Sequence, residues 1–349
     1  MDVHAHVIVP EILADARHRD EWRPRVRRED DGRQVVELHG RSIRSARHEF
    51  VDVETIAAVE IRAGIDRVLL CPWVPLLYAD AGPAACLERC RIQNEALERI
   101  VAAHPDRISA LGAVPLQDPE LAATELAAIR ARGVLAGVEV TASVGGKYLG
   151  DPRFEPVWQV AADTAAAVLV HPTTKGFGPD AFDEYYLWNT VGNPLETTIA
   201  AAQMTMAGVM ERHPHLRVVL VHGGGGLLAL GGRLRHAHSF QPQARSRLAE
   251  SPRASIRRFH FDTVTHDPDL LRSLIGSVGA GRVLLGSDYP FDMADPDPVG
   301  TVRSLGLPPD HEQAVLGGNA ARLLGLGSRR DRPAPPKPDP RKRGVTADA

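Results

Sequence analysis

The chain has 349 residues, 44% of them hydrophobic, with 41 basic and 44 acidic side chains and a formal net charge of -3. That length and apolar content suffice for two ordinary domains or one α/β barrel, and the near balance of charge gives no reason to expect nucleic acid or an anionic membrane surface as a partner. No apolar run reaches the roughly 18 residues of a membrane span and no signal peptide precedes Asp2, so the cytoplasm is the expected compartment; there Cys71, Cys86 and Cys90, whose spacing fits no zinc finger, read as free thiols.

The chain opens on Asp2-Val3-His4-Ala5-His6. In a strand Asp2, His4 and His6 share one face, and a His-x-His pair closes a metal site once one or two further ligands arrive from elsewhere. Residues 12–50 are charged and irregular, an insertion after the first strand with a hairpin expected around Asp31-Gly32. An Asp52 N-cap opens a helix that runs to Gly64. A strand over 67–72, a helix over 83–103 and a strand over 108–115 follow, and then Asp118 caps a helix ending at Gly133. Strand 136–141 and helix 152–162 close the first half.

Strand 167–171 ends in His171-Pro172 and leads into a long loop rich in glycine and aromatics. Asn193-Pro194-Leu195-Glu196 reads as N-cap, proline at N1 and glutamate at N3 of a helix running to 212. Strand 217–222, helix 226–235, strand 259–263, helix 267–278, strand 282–287 and helix 311–324 complete the pattern. From there the composition turns to Pro, Arg and Lys, so 327–349 is expected to be a disordered, solvated tail.

Eight strand and helix pairs in alternation predict one (β/α)8 barrel over 1–326. A doubly wound open sheet is the alternative, against which no Gly-rich phosphate fingerprint follows the first strand. Barrel sites lie at the C-terminal ends of strands, and His4, His6, His171, His222 and Asp288 all fall on that rim. One strand-end histidine is usually an ordinary hydrogen-bonded residue; five such groups at one level read as a metal site. Three imidazoles and a carboxylate suit one divalent cation, Zn²⁺ first and Mn²⁺ as the alternative.

The motifs Asp2-Val3-His4-Ala5-His6, His171-Pro172, His222-Gly223-Gly224-Gly225 and Ser287-Asp288-Tyr289-Pro290-Phe291 resemble those of the amidohydrolase superfamily. With the run from Val191 to Ala200 and the pair Gly232-Arg233, the resemblance narrows to the aminocarboxymuconate semialdehyde decarboxylase group, which includes resorcylate and carboxyvanillate decarboxylases. It implies a distorted (β/α)8 barrel, a homodimer, one divalent metal, and non-oxidative removal of CO2 from an aromatic or muconate-type acid. Position by position it implies His4, His6, His171 and Asp288 as ligands, with His222 beside a metal-bound water. It further implies Arg47 at the substrate carboxylate, Arg233 reaching the neighbouring subunit's site, and Phe291 packed on the substrate. The group's lid-loop aromatic falls on Asn189, with Trp188 one position earlier.

Protonating an sp² carbon lets its carboxylate leave as CO2, and a metal-bound water with His222 can handle that proton. Hydrolysis of a lactone or amide, or hydration, uses the same parts, and a non-catalytic metal-binding barrel is a further alternative. Strand 136–141 contains no lysine that could be carbamylated to bridge two metals, so the expected site is mononuclear. His222 is read as a proton-transfer residue, with ligation in place of Asp288 as the competing role; for Arg233 the competing role is a salt bridge within its own subunit.

Overall fold

The structure, a computed structural model, describes residues 1–14, 22–31, 33–38, 41–46, 48–173 and 180–326. Asp2–Val7 forms strand β1. Within the insertion, β2 (Arg25–Arg28), β3 (Gln34–Leu38) and β4 (Arg41–Ala46) make a small antiparallel sheet. The expected hairpin is therefore present as β2 and β3, and a third strand joins it. The barrel resumes with β5 (Val68–Pro72), β6 (Ile108–Gly112) and β7 (Gly137–Thr141). A short hairpin, β8 (Ser143–Val144) and β9 (Lys147–Tyr148), precedes β10 (Ala167–His171), β11 (Arg217–Leu220), β12 (His260–Asp262) and β13 (Val283–Leu284).

Eight of these strands pair in parallel in the order β1-β5-β6-β7-β10-β11-β12-β13. The chain beyond β13 then returns to β1. Val3 N donates to Leu285 O at 2.9 Å and His6 N to Tyr289 O at 2.7 Å, and Ala5 bridges Tyr289 in parallel. The sheet thus closes on itself, which excludes the open doubly wound alternative. No described helix is long and apolar enough to cross a membrane.

Alternation along the strands sorts their side chains into two layers. Leu70, Ala110, Val138, Val140, Val168, Val170, Val218 and Leu220 pack outward in the large core shared with the helices. Leu69, Cys71, Leu111, Leu169, Val219 and Leu284 fill the barrel interior. In β1 the alternation breaks: Val3 joins the inner layer but Ala5 and Val7 the outer one, because the register with β5 shifts between Asp2 and Ala5. Asp2 therefore leaves the face of His4 and His6, where strict alternation would have kept it.

The caps at Asp52, Asp118 and Gly133 form as expected: Asp52 accepts from Thr55 N, Asp118 accepts from Leu121 N, and Gly133 is left-handed at φ +72°. The cap at Asn193 does not form. Asn193 is itself helical, preceded by a π-turn over Trp188–Gly192 that supplies the helix entrance. Glu196, expected to reach back to the helix start, accepts instead from Thr173 N at 2.6 Å, from Thr173 Oγ1 at 2.8 Å and from Ser143 Oγ at 2.8 Å. A charged acceptor gains more from three converging donors than from one frayed backbone N–H, so the side chain clamps the segment just after His171.

Candidate metal centre

His4 Nε2 and His6 Nε2 lie 3.0 Å apart, and each is 3.3 Å from Asp288 Oδ1. The His171 ring stands edge-on to both, its centroid 5.4 Å and 5.1 Å from theirs. One ligand atom from each of His4, His6, His171 and Asp288 falls within 4.8 Å of all the others, and all four residues are buried. The four residues predicted to be ligands are thus brought together.

The other nitrogen of each ring decides what faces inward. His6 Nδ1 meets Pro72 O at 3.2 Å and His171 Nδ1 meets Pro172 O at 2.9 Å. His4 Nδ1 meets Asp262 Oδ2 at 2.8 Å. Carbonyl and carboxylate oxygens only accept, so each Nδ1 carries a proton, and in its neutral form each ring turns an Nε2 lone pair toward the centre. Three lone pairs and a carboxylate oxygen repel one another unless a cation sits among them; His171 Nε2 and Asp288 Oδ1 have no hydrogen-bond partner. Such a set, with its Nδ1–H groups anchored, fits a divalent metal.

Burial alone would raise the pKa of Asp288, yet a positive charge on His4, with His222 and His6 beside it, holds its carboxyl well below the usual range. Burial likewise opposes protonation of His6, but Asp288 and the charge of Glu139 leave its pKa raised. Burial, then the neighbouring imidazoles, push His171 well below its ordinary value.

His222 follows β11 in a short turn, and its Nε2 lies 3.5 Å from Asp288 Oδ2. Asp288 therefore turns one oxygen to the three imidazoles and the other to His222. Both residues hold left-handed backbone, φ 62° at Asp288 and 55° at His222, a conformation that non-glycine residues adopt only when their surroundings enforce it. Asp262 does so for His222: it accepts from His222 N at 3.0 Å and Gly223 N at 2.7 Å while also anchoring His4. Within the glycine run, close packing is the stronger constraint, since a Cβ at Gly225 would sit 2.1 Å from Pro194 O.

A cavity of about 200 Å³ opens over this group, lined by His222, Asp288, Asn189, Thr190, His266 and Met293 among others. Trp188 stacks edge-on against Tyr186 at 5.0 Å, leaving its neighbours Asn189 and Thr190 to line the cavity. Phe291 packs between His6, at 5.0 Å, and Phe50, at 5.3 Å. Arg233 is exposed on the helix Leu227–Phe240 and makes no ion pair among the described residues. Arg47 lies outside the described residues.

Two acids, Asp262 and Glu139, went unnoticed in the sequence, and a third, Asp2, was expected on the face of His4 and His6. Asp262 ends β12 and Glu139 sits within β7, each the single acid of its strand, which was the available signal. Asp2, displaced by the bulge, accepts from Ser287 N at 3.1 Å and Ser287 Oγ at 2.5 Å and so braces the turn that carries Asp288.

The family model described as Amidohydrolase matches residues 1–326. The 2-amino-3-carboxymuconate-6-semialdehyde decarboxylase of Dictyostelium discoideum is 30% identical over 286 residues, covering 81% of this chain and 76% of that protein. A gamma-resorcylate decarboxylase of Rhizobium sp. is 25% identical, over 71% of this chain and 80% of that protein. Among solved structures, 5-carboxyvanillate decarboxylase from Sphingomonas paucimobilis superposes with a TM-score of 0.77 at 25% identity, over 93% of this chain and 98% of that one. A closed parallel barrel carrying three imidazoles and an aspartate on its C-terminal rim, together with a family match over nearly its whole described length, makes this chain a member of the amidohydrolase family.

Proposed function

We propose that the chain is a metal-dependent carboxy-lyase that removes CO2 without oxidation from an aromatic or muconate-type acid. The observation that carries this reading is the double use of Asp288. Oδ1 faces the three lone-pair-bearing imidazoles, and Oδ2 faces His222 at the mouth of a cavity sized for a small acid. The relatives named above, all decarboxylases, support the reaction class.

His4, His6, His171 and Asp288 would hold the cation, which when bound supplies a Lewis acid that anchors a carboxylate and acidifies coordinated water. Three nitrogens and one oxygen favour Zn²⁺, with Mn²⁺ as the alternative. His222 handles the proton: Nε2 is steadied by Asp288 Oδ2 and Nδ1 has no partner. The proton adds to the carbon bearing the carboxylate, the C–C bond breaks, and its electron pair restores the unsaturated system as CO2 departs. Asp262 fixes the turn from which His222 acts.

Substrate contacts are assigned to Arg47, Arg233, Phe291 and Trp188. For Arg233 the contact is with a neighbouring subunit's site in a homodimer. Leu195, Leu230 and Phe240 support such a dimer, being 38%, 41% and 66% exposed, the last two on the helix that carries Arg233 and Leu195 on the helix Asn193–Met206. Three buried free thiols fit the cytoplasm. The test is to supply the metal-loaded protein with benzoate- and muconate-type acids and with lactones, following CO2 release against ring-opened acid. CO2 with stoichiometric loss of the carboxylate is expected, whereas acid formation without CO2 would make the protein a hydrolase.

A further inference from the structure

Glu139 is the residue of the barrel interior that the site so far leaves unexplained. It is 1% exposed, and neither carboxyl oxygen has a hydrogen-bond partner. In β7 it stands in register with Leu169, one inward-facing position below His171, whose own register partner is Thr141. Its charge acts on His6, on Asp288 and on the buried thiol of Cys71. Among the described residues no lysine or arginine pairs with it. Burial and the nearby Asp288 push its pKa up to about 8, with His6 opposing.

A buried, unpaired carboxylate is tolerated only when it is neutralised by a proton or by a nearby cation, and an unsatisfied buried polar group commonly marks an ion or water that belongs beside it. The positive charge this neighbourhood is built to hold lies among His4, His6, His171 and Asp288. We propose that Glu139 is a second anionic member of the metal centre, compensating the cation from inside the barrel. Three neutral imidazoles contribute no charge, so Asp288 and Glu139 together balance one divalent ion among buried ligands. Glu139 is thus a positioning residue that strengthens the hold on the metal; the inference rests on the metal-centre reading above.

The test is chelator competition. Metal-loaded wild type, Glu139→Gln and Glu139→Asp are titrated with a chromophoric chelator, using Zn²⁺ and Mn²⁺ as probes, and the melting temperature is followed with and without metal. Glu139→Gln, isosteric but uncharged, is expected to bind about 10- to 100-fold more weakly, the range found when groups supporting a metal site are removed. Its metal-free form should melt no lower than wild type, since an uncompensated acid has been removed. Glu139→Asp should retain more affinity than Gln, and it stands in if Gln fails to fold. Equal affinity of wild type and Glu139→Gln would overturn the inference while leaving the metal centre intact. A wild type that holds no metal would overturn both.

Discussion

The two ends of the barrel treat polar groups in opposite ways. At the N-terminal end long cations are used up on backbone: Arg67 Nη2 donates to Pro105 O at 2.7 Å and Nη1 to Ile108 O at 3.1 Å, and Arg217 Nη1 donates to Leu323 O at 2.7 Å. Glu250 is gripped by both terminal nitrogens of Arg258, just before β12. At the C-terminal end, protein acceptors hold the outer nitrogens of His4, His6 and His171, while the inner ones face only one another and Asp288. At one end long cations find their acceptors in the chain itself, and at the other the candidate ligand atoms face a site that a bound ion would fill, which divides stability from function along the barrel axis.

The sharpest way to break this contrast is to remove Asp288. Asp288→Ala takes away the oxygen facing His4 and His6, and metal analysis should find the protein well below one equivalent, with activity lost. Full occupancy would mean that the bare nitrogens serve another purpose. Next in size, His222→Ala should keep its metal and its circular dichroism yet turn over about 10²-fold more slowly or worse. Loss of metal along with activity would instead make His222 a ligand.

Asp262→Asn probes the boundary between the two regimes, because Asp262 is a protein partner in service of the bare nitrogens. With the His4 anchor weakened, metal affinity should fall about tenfold or more, whereas an unchanged dissociation constant would reduce Asp262 to packing. The smallest effect belongs to the satisfied end. The bonds from Arg258 hold Glu250 below its ordinary 4.5, so the pair stabilises the fold above that pH and loses its contribution as pH falls through the depressed value. Arg258→Ala should lower the melting temperature by a few degrees at neutral pH, about 1 kcal/mol for a partly exposed pair, and the gap to wild type should close in acid. A gap that persisted unchanged at low pH would point to lost packing.

The barrel and the candidate residues on its rim were legible because parallel strands are buried on both faces and so spell apolar runs, at whose ends His171, His222 and Asp288 stand out. Glu139 and Asp262 were harder to see. A single acid within such a run gives no sign of whether it faces the interior, and only the register with neighbouring strands decides. Asn193 misled for the opposite reason: the local pattern of a cap was complete, but Glu196 had partners at Ser143 and Thr173 that no short window contains. The turn of register in β1 was invisible too, since Val3 and Ala5 are equally apolar and only pairing with β5 separates them.

The closure of the barrel between β1 and the segment after β13 has a consequence for biosynthesis. Asp288 N donates to His4 O at 2.8 Å, so the first candidate ligands made and the last one meet at the seam. A chain leaving the ribosome carries His4 and His6 almost from the outset, yet owns no complete site until the eighth strand has been synthesised and docked. Loops that long close late and slowly. Metal capture thus reports that the barrel has shut, and a truncated chain ending before Asp288 would emerge with its histidines made and nothing to complete the clasp.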